Sequence, residues 1–140
     1  MEQKRTKGKN KSRQKTWAEK FATPKQAEVK RIEKAFADMP EGAMMLIATP
    51  QIIEDYIRQI PKGKKVNLKT LRNDLALTYN AEYTCPVTTG IFLRIVAELN
   101  YEQFQTGKPL EEIAPFWRVI SAEMPLANKL SFSKDFLAKD

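Results

Sequence analysis

A lone cysteine, Cys85, and the absence of any histidine limit the chemistry open to this 140-residue chain. Cys85 precedes Pro86 at the head of a long apolar stretch, where a helix macrodipole lowers a thiol pKa. It is either a nucleophile activated by position or a small buried residue. Without histidine, Ser–His and Cys–His nucleophiles and histidine-based zinc sites are out of reach. An enzyme is therefore the less expected outcome, and no catalytic residue, metal ligand or cofactor is assigned. Binding is the chemistry left to argue.

Charge points the same way. The chain carries a net +7, and residues 1–15 hold seven cations against the single acid Glu2, so almost all of the excess lies in that segment. A polar cationic stretch with no large apolar residue after Met1 reads as a disordered tail. It serves either to hold phosphates electrostatically or to solubilise the chain. The remainder, residues 16–140, is expected to form one domain, since its length can bury a sizeable core. With 42% hydrophobic and 29% charged residues it has the composition of an ordinary globule. No apolar run approaches the roughly 20 residues of a membrane span, and the N-terminus is too polar for a secretory signal. A single cysteine suits a reducing compartment, so a cytoplasmic location is expected.

The most informative stretch is residues 85–108. Pro86 suits a first helical position, and Gly107 before Lys108-Pro109 is the expected stop. On a helical wheel Ile91, Phe92, Ile95, Val96 and Leu99 share one arc, read as the core face. Opposite lie Gly90, Arg94 and Ala97, flanked by Val87 and Leu93. Small side chains and one cation let something large approach the backbone, either nucleic acid or another helix. Thr89, near the helix N-terminus, offers a hydroxyl where free amides favour a phosphate, although the wheel sets it at the edge of the core face.

The elements that must position this helix are readable in outline. Thr16 caps a short helix carrying Trp17 and Phe21, which pins the tail to the body. From Thr23-Pro24 onward, Val29, Ile32, Phe36 and Met39 recur at a spacing helical in part, with a strand for part of it left open. Pro40-Glu41-Gly42 is a turn, and the apolar run 43–48 reads as a buried strand. Thr49-Pro50 opens a helix striped by Ile53, Tyr56, Ile57 and Ile60, which stops at Pro61. Lys62, Lys64 and Lys65 make a basic turn that either meets a nucleic-acid backbone or is simply solvated. Asn67 caps the next helix, striped by Leu68, Leu71, Leu75 and Tyr79. Residues 80–84 connect it to the long helix, so the pair follows a helix-turn-helix plan. Farther on, Phe116-Trp117-Arg118-Val119-Ile120 reads as strand-like, with Phe116 and Trp117 either lining a base pocket or belonging to the core. Arg118 either clamps a phosphate or pairs with Glu111 or Glu112. A last short helix carries Phe132, Phe136 and Leu137.

The order Ile60-Pro61-Lys62-Gly63-Lys64, a helix after Val66-Asn67, a proline-led helix and then Pro115-Phe116-Trp117-Arg118-Val119-Ile120 resembles the C-terminal DNA-binding domain of the O6-alkylguanine-DNA alkyltransferases. It is still more similar to the alkyltransferase-like proteins. The resemblance spans residues 49–120. Its sharpest element sets this last motif against the family's Pro-Cys-His-Arg-Val-[Ile/Val]. The acceptor cysteine falls on Phe116 and the histidine on Trp117, and neither a phenyl ring nor an indole can take those roles. The arginine that fills the gap left by a flipped base falls on Gly90, and the tyrosine that helps rotate the nucleotide falls on Leu68.

The resemblance implies a mainly α (α+β) winged-helix-like fold with a few short strands. It also implies a DNA-binding protein without methyltransferase activity that marks alkylated guanine for repair. The expected partner is double-stranded DNA, alkylated or not, with repair proteins beyond it, no membrane and a monomeric chain. The DNA contacts would come from Lys62, Lys64, Lys65, Val87, Thr89, Gly90 and Arg94, and the base pocket from Phe116, Trp117 and Arg118. Two alternatives stand beside it. One is a sequence-tolerant winged-helix binder with no lesion pocket, and the other an enzyme working through Cys85.

Overall fold

The computed structural model describes residues 14–139, so the expected tail lies outside the described residues apart from Gln14 and Lys15. Among these residues the fold is mixed α and β, with four α-helices, a small three-stranded sheet and a C-terminal run of 3-10 turns.

Helix α1 (Trp17–Phe21) begins in a capping box. Thr16 Oγ1 accepts from Glu19 N, and Glu19 returns the bond to Thr16 N. Strand β1 (Glu28–Arg31) then pairs antiparallel with β2 (Met44–Ile47), Val29 opposite Leu46. Every residue of β1 is exposed, and its charges blunt an outer edge. The apolar run 43–48 does supply the inner strand, since Met45 and Leu46 are buried.

Helix α2 (Pro50–Arg58) starts with Pro50 behind the Thr49 cap, and α3 (Leu68–Thr78) starts behind Asn67, whose side chain accepts from Thr70 N. Ile53, Ile57, Leu71 and Leu75 are all buried, as their stripes require. The two helices are linked where Tyr56 Oη donates to Asp74 Oδ2 at 2.5 Å. Partial burial, then the bond and charge of Asp74, push the Tyr56 hydroxyl well above its ordinary pKa, which keeps it a donor.

The connector after α3 holds an unexpected strand. β3 (Tyr83–Thr84) runs parallel to β2, Leu46 opposite Thr84, and two residues are too short to show any periodicity. Thr84 Oγ1 donates to Arg72 O and Arg72 Nε donates to Thr84 O, which fastens α3 to the sheet.

Helix α4 (Pro86–Gln105) is the longest element, with Pro86 at its first position. At its end Gly107 has a φ of +117°, a conformation that favours glycine. Gly107 N donates to Phe104 O and Lys108 N to Gln103 O, the paired bonds of a Schellman stop. The wheel is corrected here. Ile91 is exposed, whereas Leu93 and Ala97, expected outside, are fully buried. The cause is that the middle of α4 is not a surface helix. From Ile95 to Asn100 every residue is buried, because α2, α1 and the C-terminal turns surround it. A helix enclosed on several sides has no single apolar stripe to read.

The C-terminal turns hold α4 through two buried polar side chains. Asn100 Oδ1 accepts from Ala114 N at 2.8 Å, while its Nδ2 donates to Glu54 Oε2. The Glu98 carboxylate accepts from Ser131 N and Ser131 Oγ. Residues 116–118 form a 3-10 turn, so the expected strand is absent there. Lys134–Leu137, expected as a helix, is likewise 3-10.

Candidate nucleic-acid interface

The sequence placed its candidates in three clusters, and the structure brings three of the four members of one of them onto an open face. Val87, Gly90 and Arg94 lie together along the first half of α4 and help line an open groove of 1380 Å³. Its floor is the outer face of α4, where Val87 and Ile91 are 54% and 52% exposed. Helix α1 makes one wall with Trp17, and the segment after it brings Lys25. From the far end of the chain the turn Pro125–Lys129 contributes Leu126 and Lys129.

Electrostatics give the groove its character. Lys15, Lys20, Lys25, Arg94 and Lys129 line it against two carboxylates, Glu19 and Glu28. Glu19 is already engaged in the α1 capping box. Two of the cations are organised by one aromatic: Lys20 Nζ lies 4.4 Å from the Trp17 ring centre and the Arg94 guanidinium 5.3 Å. The Arg94 side chain keeps 39% exposure, with Nε 4.0 Å from Glu98 Oε2. It is half covered by α1 and still reaches the groove. Thr88 also lines the groove, with a buried hydroxyl that has no hydrogen-bond partner among the described residues.

Thr89 is corrected. It is fully buried and its hydroxyl donates to Cys85 O at 2.6 Å, sharing that carbonyl with Thr89 N instead of meeting a phosphate. The basic turn is corrected in part. Lys62 and Lys64 are exposed but outside the groove, and Lys65 Nζ donates to the carbonyls of Trp117 and Lys139. Lys65 thus works as a clasp.

The third cluster is corrected outright. Phe116 is 0% and Trp117 4% exposed, and both belong to the main core. A strand would have sent them to opposite faces, but the 3-10 turn lets both pack inward. Phe116 sits 5.3 Å from Trp117, 5.7 Å from Phe132 and 5.7 Å from Phe136, ring centre to ring centre. Arg118 donates from Nη1 to Ile60 O, while Arg118 O accepts from Val66 N. The two halves of the matched motif therefore touch, as parts of the scaffold.

Cys85 is 6% exposed and packs in a small second core with Ile32, Met39 and Met45. Among the described residues no cluster of His, Cys, Asp and Glu side chains could hold a metal ion, and no helix is long and apolar enough to cross a membrane.

Sequence reasoning missed Ile91, Lys20, Lys25 and Lys129 as groove residues. A signal for the first was present: Val87, Ile91 and Arg94 are spaced as one helical stripe, an alternative to the stripe chosen. Lys25 and Lys129 are brought together only by the fold. A small α+β protein with a cation-lined groove over its longest helix is the class that fold and site define. Compared with family models, with curated proteins and with solved structures, the chain finds no match in any of the three.

Proposed function

We propose that the chain is a non-enzymatic, sequence-tolerant nucleic-acid-binding protein on a winged-helix-type plan, with α3 and α4 as its helix-turn-helix and the outer face of α4 as its contact surface. The observation that carries this reading is the groove, whose five cations outnumber its two carboxylates. The cation-rich residues 1–13 join the chain just before Lys15, which lines it. Such a surface meets phosphates without reading sequence. Val87, Gly90 and Ile91 offer no side-chain donor or acceptor to base edges, which supports sequence tolerance.

The resemblance to the alkyltransferase DNA-binding domain supports the same helix as the binding element. Damage recognition through the Pro115–Ile120 motif is less well supported, because the aromatics that would line its pocket are core. Alkyl transfer has no acceptor at Phe116, and Cys85 is enclosed.

The test is fluorescence anisotropy with labelled oligonucleotides, plain and carrying O6-methylguanine, over a salt series. Equal affinities for the two, falling steeply with salt, are expected. A preference of tenfold or more for the lesion would favour the damage-recognition reading, and no binding at low salt would refute both.

A further inference from the structure

Gly90 costs the fold something and returns nothing to it. It lies in the interior of α4, where glycine weakens a helix relative to alanine. Its φ is not positive, and among the described residues a Cβ added there would meet nothing within 4 Å beyond its chain neighbours and the backbone of its own helix. Among the described residues no turn, close helix crossing or packed side chain calls for the missing methyl group. The open space above Gly90 is the groove itself, with Val87 and Ile91 exposed along the same floor.

Building on the reading of this groove as a nucleic-acid surface, we propose that its ligand is single-stranded nucleic acid and that an unpaired base lies against the bare α4 backbone at Gly90, between Val87 and Ile91. A duplex hides its base faces by stacking and offers edges and phosphates. Branched aliphatic side chains satisfy neither, and pressing phosphates onto them would strip water from a charge without replacement. The face of an unstacked base is apolar and flat, and fits a floor of two aliphatic side chains with a gap between them. The cations sit on the walls, where phosphates on either side of that base would pass: Lys25 beside α1, Arg94 along α4 and Lys129 on the C-terminal turn. Trp17 has its ring engaged by Lys20 and Arg94, so it sets cations in place and leaves base contact to α4. Thr88, on another face of the same turn, also lines the groove, and its buried hydroxyl has no hydrogen-bond partner among the described residues.

The full chain and its Gly90→Ala variant are titrated with a labelled twenty-nucleotide single strand and with the matching duplex, and both proteins are melted. The expected result is a single strand bound about tenfold more tightly than duplex. Gly90→Ala should melt roughly 3 °C higher, yet bind the single strand about five- to tenfold more weakly, a larger loss than the duplex shows. Ile91→Ser, an exposed change, should weaken the single strand in the same way. Duplex bound as tightly as single strand, or Gly90→Ala binding the single strand like the parent, overturns the proposal and leaves the groove reading in place. A lower melting temperature for Gly90→Ala also overturns it, since the fold would then need that glycine. If neither nucleic acid binds at low salt, the groove reading itself fails.

Discussion

The two halves of α4 make opposite use of one continuous helix. From Ile95 to Asn100 every position is buried, and even Glu98 and Asn100 are enclosed with their polar atoms paired to Ser131, Ala114 and Glu54. From Val87 to Arg94 only Thr89 and Leu93 are buried, and the opposite face floors the groove. The second half holds the C-terminal turns in place. The first half is left open at some cost, with two exposed aliphatic side chains and an interior glycine. The difference teaches where to look for function: in the half where residues are not explained by packing.

Four experiments would sharpen or break that contrast. The largest effect is expected at Phe116. Phe116→Ala empties a fully buried site in the aromatic cluster and should cost about 3–5 kcal/mol by chemical denaturation. If stability is kept and nucleic-acid binding is lost instead, Phe116 belongs to the site after all. Asn100→Ala comes next. It leaves the Ala114 amide and the Glu54 carboxylate short of a partner and should cost roughly 1–3 kcal/mol.

The third changes the open half alone. Lys25→Glu with Lys129→Glu should raise the nucleic-acid Kd about tenfold or more and lower the salt slope by roughly two, with stability within about 0.5 kcal/mol of the parent. An unchanged salt slope would remove the groove from consideration. The smallest effect is expected at Tyr56. A hydroxyl whose folded pKa is raised stabilises the protein below its unfolded value, about 10, and loses that contribution as pH climbs through the folded value. Tyr56→Phe should therefore melt slightly lower than the parent at neutral pH, and the gap should close above roughly pH 10. A gap that persists at high pH would mean that the ring's packing, not its bond to Asp74, carries the effect.

What could be read in advance depended on range. Thr16, Thr49 and Asn67 announced helix starts, and Gly107 a helix end, because a cap is satisfied within four residues. The buried strand at 43–48 was legible from its apolar run. β3 was not, because its two residues pair with a strand some forty positions earlier. Thr89 and Ile91 exchanged expected places because α4 carries apolar residues on several faces, and only its neighbours decide which of them face solvent. The resemblance at Pro115–Ile120 suggested a pocket, and Phe132 and Phe136 closed it from beyond the matched segment.

The sequence by itself determined where the four described α-helices start, the cationic excess, and a chemistry without histidine, for these rest on residue identity and on bonds between near neighbours. Only the tertiary structure decided which face of α4 is open, that Phe116 and Trp117 are core, and that Lys25 and Lys129 line one groove. Those outcomes depend on contacts between segments more than seventy residues apart, and burial belongs to the assembled surface rather than to any stretch of chain.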